Sequence, residues 1–244
     1  MTTEYFWKDS SNIHVNVGFE HFGEYHLCWL AFTVVATVML SLIYSKLHKK
    51  ARGAMLIGIA SFMLLTECFR QVLFVVNGSF EVGCLPLHLC GLNIFVCFIY
   101  SLTRREIIGE ALYALSMPGA AMALLFPDWN TSYPPLNFFC IHSFYIHLLL
   151  FAFPLILIFN GEVRPKIKNL PKICAAILLL CPFIYLINVK FDTNFMFLNY
   201  PGEGNPLELF EKYLGNPGYL LGMPVIAAVV WSILYLPFFI KKKK

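Results

Sequence analysis

The chain has 244 residues, 59% of them hydrophobic and 13% charged, with a formal net charge of +4. Soluble domains carry roughly 25% charged residues, so a mean hydropathy of +0.69 excludes an ordinary water-soluble globule and makes lipid the natural solvent. The small positive excess lies between apolar stretches, which is the pattern of membrane topology and not of a nucleic-acid footprint.

In chain order, residues 1–25 are polar and acidic and lack the basic stretch and apolar core of a signal peptide. They read as an extracytoplasmic segment. A helix needs about 20 mainly apolar residues to cross the hydrocarbon, and seven stretches qualify: His26–Ser45, Ala54–Val76, Leu85–Leu102, Ile107–Phe126, Leu136–Phe159, Pro171–Lys190 and Gly218–Ile240. Breakers separate them: Asn77-Gly78, Pro127, Pro134-Pro135 and Asn216-Pro217-Gly218. Residues 26–240 therefore form one transmembrane domain, an all-α polytopic bundle of seven helices, with residues 241–244 as a basic tail. Lys and Arg fix its orientation. Lys46, Lys49, Lys50, Arg52, Arg104, Arg105, Arg164, Lys166, Lys168, Lys172 and the Lys241–Lys244 tail fall on one side; only Lys8, Lys190 and Lys212 fall on the other. Basic loops stay in the cytoplasm, so the N-terminus is outside and the C-terminus cytoplasmic, in a multi-pass protein of the cell membrane.

The connection 191–217 is long and carries Asp192, Glu203, Glu208 and Glu211 beside Phe195, Met196, Phe197, Leu209 and Phe210. Long loops in compact domains are usually functional or disordered. These aromatics favour an ordered extracytoplasmic lid or re-entrant element over the outer mouth of the bundle, against a loose loop lying at the interface.

Charges inside the spans single out a site, because each costs at least about 2.5–3.5 kcal/mol at a helix centre. Glu67 and Arg70, three apart, share a helical face and can pair. That pair reads either as a functional group or as a structural ion pair. His88 and Asn93 follow on helix three, with Pro86 suited to its first turn. Helix five carries Cys140, His142, Ser143, Tyr145 and His147. Its two histidines, five apart, are roughly 140° apart around the helix and are poorly placed to chelate one metal, so no metal site is assigned. Helix six ends with Asn188 and Asp192, and Asn194 follows. With the orientation above, all these residues fall in the outer half of the bundle. They define one polar site, with His88, His142, His147 and Glu67 as catalytic candidates and Arg70, Asn93, Asn188 and Asn194 as substrate-binding candidates. Most of the eight cysteines lie in apolar stretches as packing residues. Cys84 and Cys140 fall near the outer face, where a disulfide is one option.

Glu67 to Arg70, LPLHLCGLNIF (Leu85–Phe95) and TNFMFLNYPGEGNPLELF (Thr193–Phe210) resemble the YwaF family of bacterial integral membrane proteins over nearly the whole chain. The resemblance implies a single multi-helix membrane domain. More distantly the chain is similar to eukaryotic membrane proteins that transfer or hydrolyse fatty acyl groups, among them the androgen-induced hydrolases of fatty-acid esters. Those use a threonine nucleophile and a histidine. By position, Thr66 and Thr193 are the threonines to consider, and a cysteine near His88 is another nucleophile.

Two functions follow as expectations. One is a lipid acyltransferase or hydrolase acting on a phospholipid or fatty acyl substrate drawn from membrane lipids, with His88 as first choice of base and His142 as second. The other is a transporter or binding protein for a small polar or anionic solute. A metal-dependent hydrolase and a bundle whose polar groups only fix packing are further readings. The residues name no cofactor and no oligomeric state.

Overall fold

The computed structural model describes residues 3–13, 17–202 and 205–240. Glu203, Gly204 and the basic tail 241–244 lie outside the described residues. The regular structure among the described residues is helical throughout. Six helices are long and apolar enough to cross a membrane: Glu24–Lys46, Lys49–Val76, Glu106–Leu125, Phe138–Phe159, Ile167–Phe191 and Gly218–Phe238; Leu89–Thr103 is apolar but shorter. The chain divides into two compact units, Met1–Arg164 and Pro165–Lys244.

The first unit contains α1 (Glu24–Lys46), α2 (Lys49–Val76), α3 (Leu89–Thr103), α4 (Glu106–Ala111), α5 (Met117–Leu125) and α6 (Phe138–Phe159). α6 is the central helix and packs against α1, α2, α3 and α5. Its start is set by Asn137, whose side-chain oxygen accepts from the Phe139 and Cys140 backbone N–H groups at 2.8 and 3.3 Å. These are helix-end donors that would otherwise be left without partners. One end of the unit collects the α2–α3 and α5–α6 connections and is called the cap end below. The other collects Arg52, Arg104 and Glu162 and is called the basic end.

Two departures from the sequence reading have local causes. Helix three was expected from Leu85 with Pro86 in its first turn, but α3 begins at Leu89 with His88 as its N-cap in extended conformation. The backbone of Pro86 folds across the first turn of α3 at Gly91, where a Cβ would lie 2.5 Å from the Pro86 carbonyl oxygen. Only glycine permits that approach. The fourth span is also not one regular helix, since a π turn, Leu112–Ser116, joins α4 to α5. Pro118 has no N–H to donate, and its ring would crowd the carbonyl four residues back. A widened turn just before it relieves both problems.

The N-terminal segment is folded onto the cap end. Asn137 Nδ2 donates to the Tyr5 and Lys8 carbonyls at 2.6 and 2.8 Å. Phe138 N–H donates to the Phe6 carbonyl at 2.8 Å. Asn77 Nδ2 donates to the Trp7 carbonyl at 2.9 Å. Asp9, only 6% exposed, accepts from Tyr133 Oη at 2.7 Å and Ser11 Oγ at 2.9 Å.

The second unit contains α7 (Leu170–Phe191), α8 (Leu207–Leu214) and α9 (Gly222–Ile240). The connection after α7 is ordered by side-chain amides. Asn188, fully buried, donates to the Phe195 carbonyl at 3.0 Å and accepts from Phe195 N–H and Thr193 Oγ1 at 2.8 and 2.9 Å.

Candidate functional site

The polar centre of the first unit is built on α2. Glu67 and Arg70 lie one turn apart and form a two-pronged pair: Arg70 Nε to Glu67 Oε2 at 3.0 Å and Nη2 to Oε1 at 2.7 Å. The Glu67 side chain is only 5% exposed, against 23% for Arg70. A carboxylate this deeply buried in an apolar bundle is tolerable only when neutralised and hydrogen-bonded. Gln71 completes that environment, donating from Nε2 to Glu67 Oε1 at 2.7 Å and to the Cys84 carbonyl at 2.9 Å. Arg70 Nη2 reaches the same carbonyl at 3.2 Å. The pair thus fastens α2 to the segment that leads into α3. The Arg70 guanidinium also lies over the Phe74 ring, 5.2 Å from its centroid.

α6 presents His142 to this pair, with Nε2 at 3.7 Å from Glu67 Oε2. That is beyond hydrogen-bond range. The ring is held from two sides by Phe138 and Tyr145, at centroid distances of 5.6 and 5.2 Å. His147, one turn further on, bonds through Nδ1 to the Ser143 carbonyl at 2.7 Å. A carbonyl can only accept, so Nδ1 carries the proton and Nε2 is left with its lone pair. His88, at the start of α3, completes the set. The charge of Arg70 acts on His88, His142 and His147 alike. Of the eight residues singled out from sequence, the structure brings Glu67, Arg70 and His142 together.

Asn93 is 3% exposed on α3, the helix packed on α2. Among the described residues, its Nδ2, Gln71 Oε1 and His142 Nε2 are buried polar atoms without a hydrogen-bond partner. Buried polar atoms are nearly always paired, so these incompletely satisfied groups are candidates for polar chemistry.

Asn188 and Asn194 belong to the second unit, and both amides shape its own loop. Asn194 Nδ2 donates to the Tyr200 carbonyl at 2.8 Å, and its Oδ1 accepts from Asn199 N–H at 3.1 Å. Cys84 and Cys140 are free thiols. Cys140 Sγ lies 3.6 Å from both Tyr25 Oη and Asn130 Nδ2. No group of three His, Cys, Asp or Glu side chains among the described residues is arranged to hold a metal ion.

Sequence reasoning passed over three residues. Gln71 stands four positions after Glu67, hence on the same face, and that spacing could have found it. Glu110 is buried on α4 at 1% exposure, and an acid inside an apolar span was signal enough. Glu162, at the basic end, gave no such signal. It accepts from Tyr44 Oη at 2.5 Å and pairs with Arg104 Nη1 at 3.0 Å and Arg52 Nη1 at 3.7 Å.

The N-terminal segment reaches the site through aromatic rings. Trp7 packs on Phe69 and Phe138, at 5.9 and 5.7 Å between centroids, and Phe138 in turn packs on His142.

Comparison with curated proteins and with solved structures finds no match. The model of the TMEM164 family matches residues 20–235, a stretch that contains all of α1 to α8 and every residue of the polar centre. The apolar helices and this match lead to one conclusion: the chain is an integral membrane protein and belongs to the TMEM164 family.

Proposed function

We propose that the protein crosses a cell membrane seven times, N-terminus outside and C-terminus in the cytoplasm, and that the polar centre of its first unit carries out lipid acyl chemistry as a transferase or hydrolase. The observation that carries this reading is the buried Glu67 carboxylate, paired with Arg70 at 2.7 Å and approached at 3.7 Å by His142 Nε2. An attacking hydroxyl or thiol must lose its proton, and imidazole accepts one near neutral pH. His88 is the proposed base and His142 the second. Asn93 Nδ2, a buried donor without a partner, suits a developing oxyanion or a polar headgroup. The chain's distant resemblance to membrane proteins that transfer or hydrolyse fatty acyl groups favours lipid as substrate.

For the nucleophile, Cys90 on the first turn of α3 is preferred to either threonine. The hydroxyl of Thr66 donates to the Phe62 carbonyl at 2.8 Å, and that of Thr193 donates to Asn188 Oδ1 at 2.9 Å. Both protons are committed to the protein itself. Cys90 stands two residues from His88 and packs towards Gly119 on α5.

Lipid analysis of cells lacking the protein and of cells restored with wild type, His88→Ala or Cys90→Ala tests the reading. Variants that accumulate normally but leave the lipid profile of the deletion support it. A wild-type profile from His88→Ala refutes it. The approach of His142 to Glu67 also suits a proton-coupled transporter of a small polar or anionic solute. Uptake into proteoliposomes that is saturable and lost in Arg70→Ala would favour that second reading.

A further inference from the structure

The second unit carries an amphipathic helix that the proposed chemistry does not use. In α8, Leu207-Glu208-Leu209-Phe210-Glu211-Lys212-Tyr213-Leu214, successive side chains are rotated by about 100°. Glu208, Glu211 and Lys212 therefore occupy one continuous side, and the five apolar residues occupy the remainder. That apolar side is only half used. Leu207 is 4% exposed, and Phe210 packs on the backbone of Gly222, where a Cβ would lie 2.5 Å from the ring. Leu209 and Tyr213, one turn apart, are 59% and 75% exposed, and Leu214 is exposed beside them.

The seat on Gly222 gives the depth of α8. Gly222 is the first residue of α9 and lies near the start of the Gly218–Phe238 span. A helix clamped there sits where a membrane-spanning segment leaves the hydrocarbon. The neighbouring spans present the same kind of surface, since Leu178, Leu179, Phe183 and Leu186 on α7 and Val225, Val229, Ile233 and Leu236 on α9 are exposed and apolar. The exposed apolar stripe of α8 thus has the same character as the exposed faces of α7 and α9. Tyrosine and lysine are suited to this boundary, the ring bridging apolar and wet layers and the amine extending towards water on an apolar stem.

We propose that α8 is an interfacial anchor: it lies along the membrane surface with Leu209 and Tyr213 embedded at the acyl–headgroup boundary and with Glu208 and Lys212 on the water side. Amphipathic helices bind such boundaries in proportion to the apolar area they bury. The occupant of this face is phospholipid, neither a second copy of the chain nor another segment of the same chain.

Site-specific photocrosslinking tests this. Benzoylphenylalanine is placed singly at 209, 213 and 208 in the full-length protein, which is reconstituted in phosphatidylcholine nanodiscs, irradiated and analysed as intact mass. The expected result is a phosphatidylcholine adduct at 209 and 213, several times more abundant than at 208, with unchanged thermal midpoints. A covalent dimer, an intramolecular crosslink, equal labelling at 208 or no adduct at any position would each overturn the proposal. None of these outcomes depends on the polar centre of the first unit, so the anchor and the proposed chemistry stand or fall separately.

Discussion

Arg70 shows why a buried charge has to be judged together with its neighbours. Its partner Glu67 is almost wholly buried and has one further hydrogen bond among the described residues, from Gln71. Arg70→Ala would leave that carboxylate without its cation, a loss of the kind that costs about 3–5 kcal/mol. The expected outcome is a large drop in the thermal midpoint of the purified protein in detergent. A double variant, Glu67→Gln with Arg70→Met, removes both charges and should recover most of the drop. An equal loss in single and double variants would show that the two groups do not neutralise each other. The pairing itself was legible in the sequence, because a spacing of three on an apolar helix leaves few alternatives. The approach of His142 to Glu67 was not. Its position around α6 depends on how α6 packs on α2, and nothing local to either helix encodes that contact. Asn188 was legible as a buried polar residue but not in its role, because its partners at Thr193 and Phe195 come from a turn with no regular period.

At the level of elements, apolar length and breakers located six helices long enough to cross a membrane and the shorter Leu89–Thr103, because lipid demands a minimum apolar length of a crossing helix. The misplacements arose where backbone met backbone, with Pro86 folding over Gly91 and Pro118 widening the turn before it. The N-terminal segment was the other surprise, since a polar stretch of 25 residues carries no hydrophobic period to read. It is fastened by Asn137, Asn77 and the Asp9–Tyr133 contact. Asn137→Ala should cost about 0.5–2 kcal/mol for the helix cap alone. It should also release the Tyr5 and Lys8 carbonyls, seen as faster hydrogen exchange across residues 3–13. Asp9 adds a pH dependence. Burial works to raise its pKa, but hydrogen bonds from Tyr133, Ser11 and the Ser10 and Ser11 backbone outweigh that and hold the carboxyl below its ordinary value of 3.8. A lowered folded pKa means stabilisation that is fully present above the unfolded value and is lost as pH falls through the folded one. Wild type should therefore be more stable than Asp9→Asn near neutral pH, and the gap should close as pH drops below about 4. Thermal unfolding of both proteins across that range measures it, and a gap that stays constant would exclude Asp9 as the titrating clasp.

For the whole molecule, the two ends of the first unit are chemically unlike, and the difference follows from which side of a membrane each would face. The basic end gathers Arg52 and Arg104 around Glu162, with Tyr44 and Tyr100 beneath the two guanidiniums. The cap end is closed by amides, aromatics and the buried Asp9. In the sequence, fourteen of the eighteen Lys and Arg residues fall in the loops and tail that the proposed seven-span arrangement puts on one side, and such residues resist translocation. An odd number of crossings then puts the two termini on opposite sides, while six crossings would put them together. Leu89–Thr103, the shortest of the apolar helices, is therefore the element on which the orientation turns. Its fifteen residues span about 22 Å at 1.5 Å each, less than the roughly 30 Å of hydrocarbon. The preceding segment does not lengthen it, because Pro86 folds back over the first turn at Gly91. If α3 crosses, a fluorescent protein fused after Ile240 should glow in the cytoplasm, and alkaline phosphatase at the same point should be inactive. An alkaline phosphatase inserted at Gly78 should be active, and one inserted at Arg105 should not. Equal activity at Gly78 and Arg105 would mean that α3 turns back within the membrane. The Glu67–Arg70 centre would then be reached from a different side than the seven-span arrangement requires.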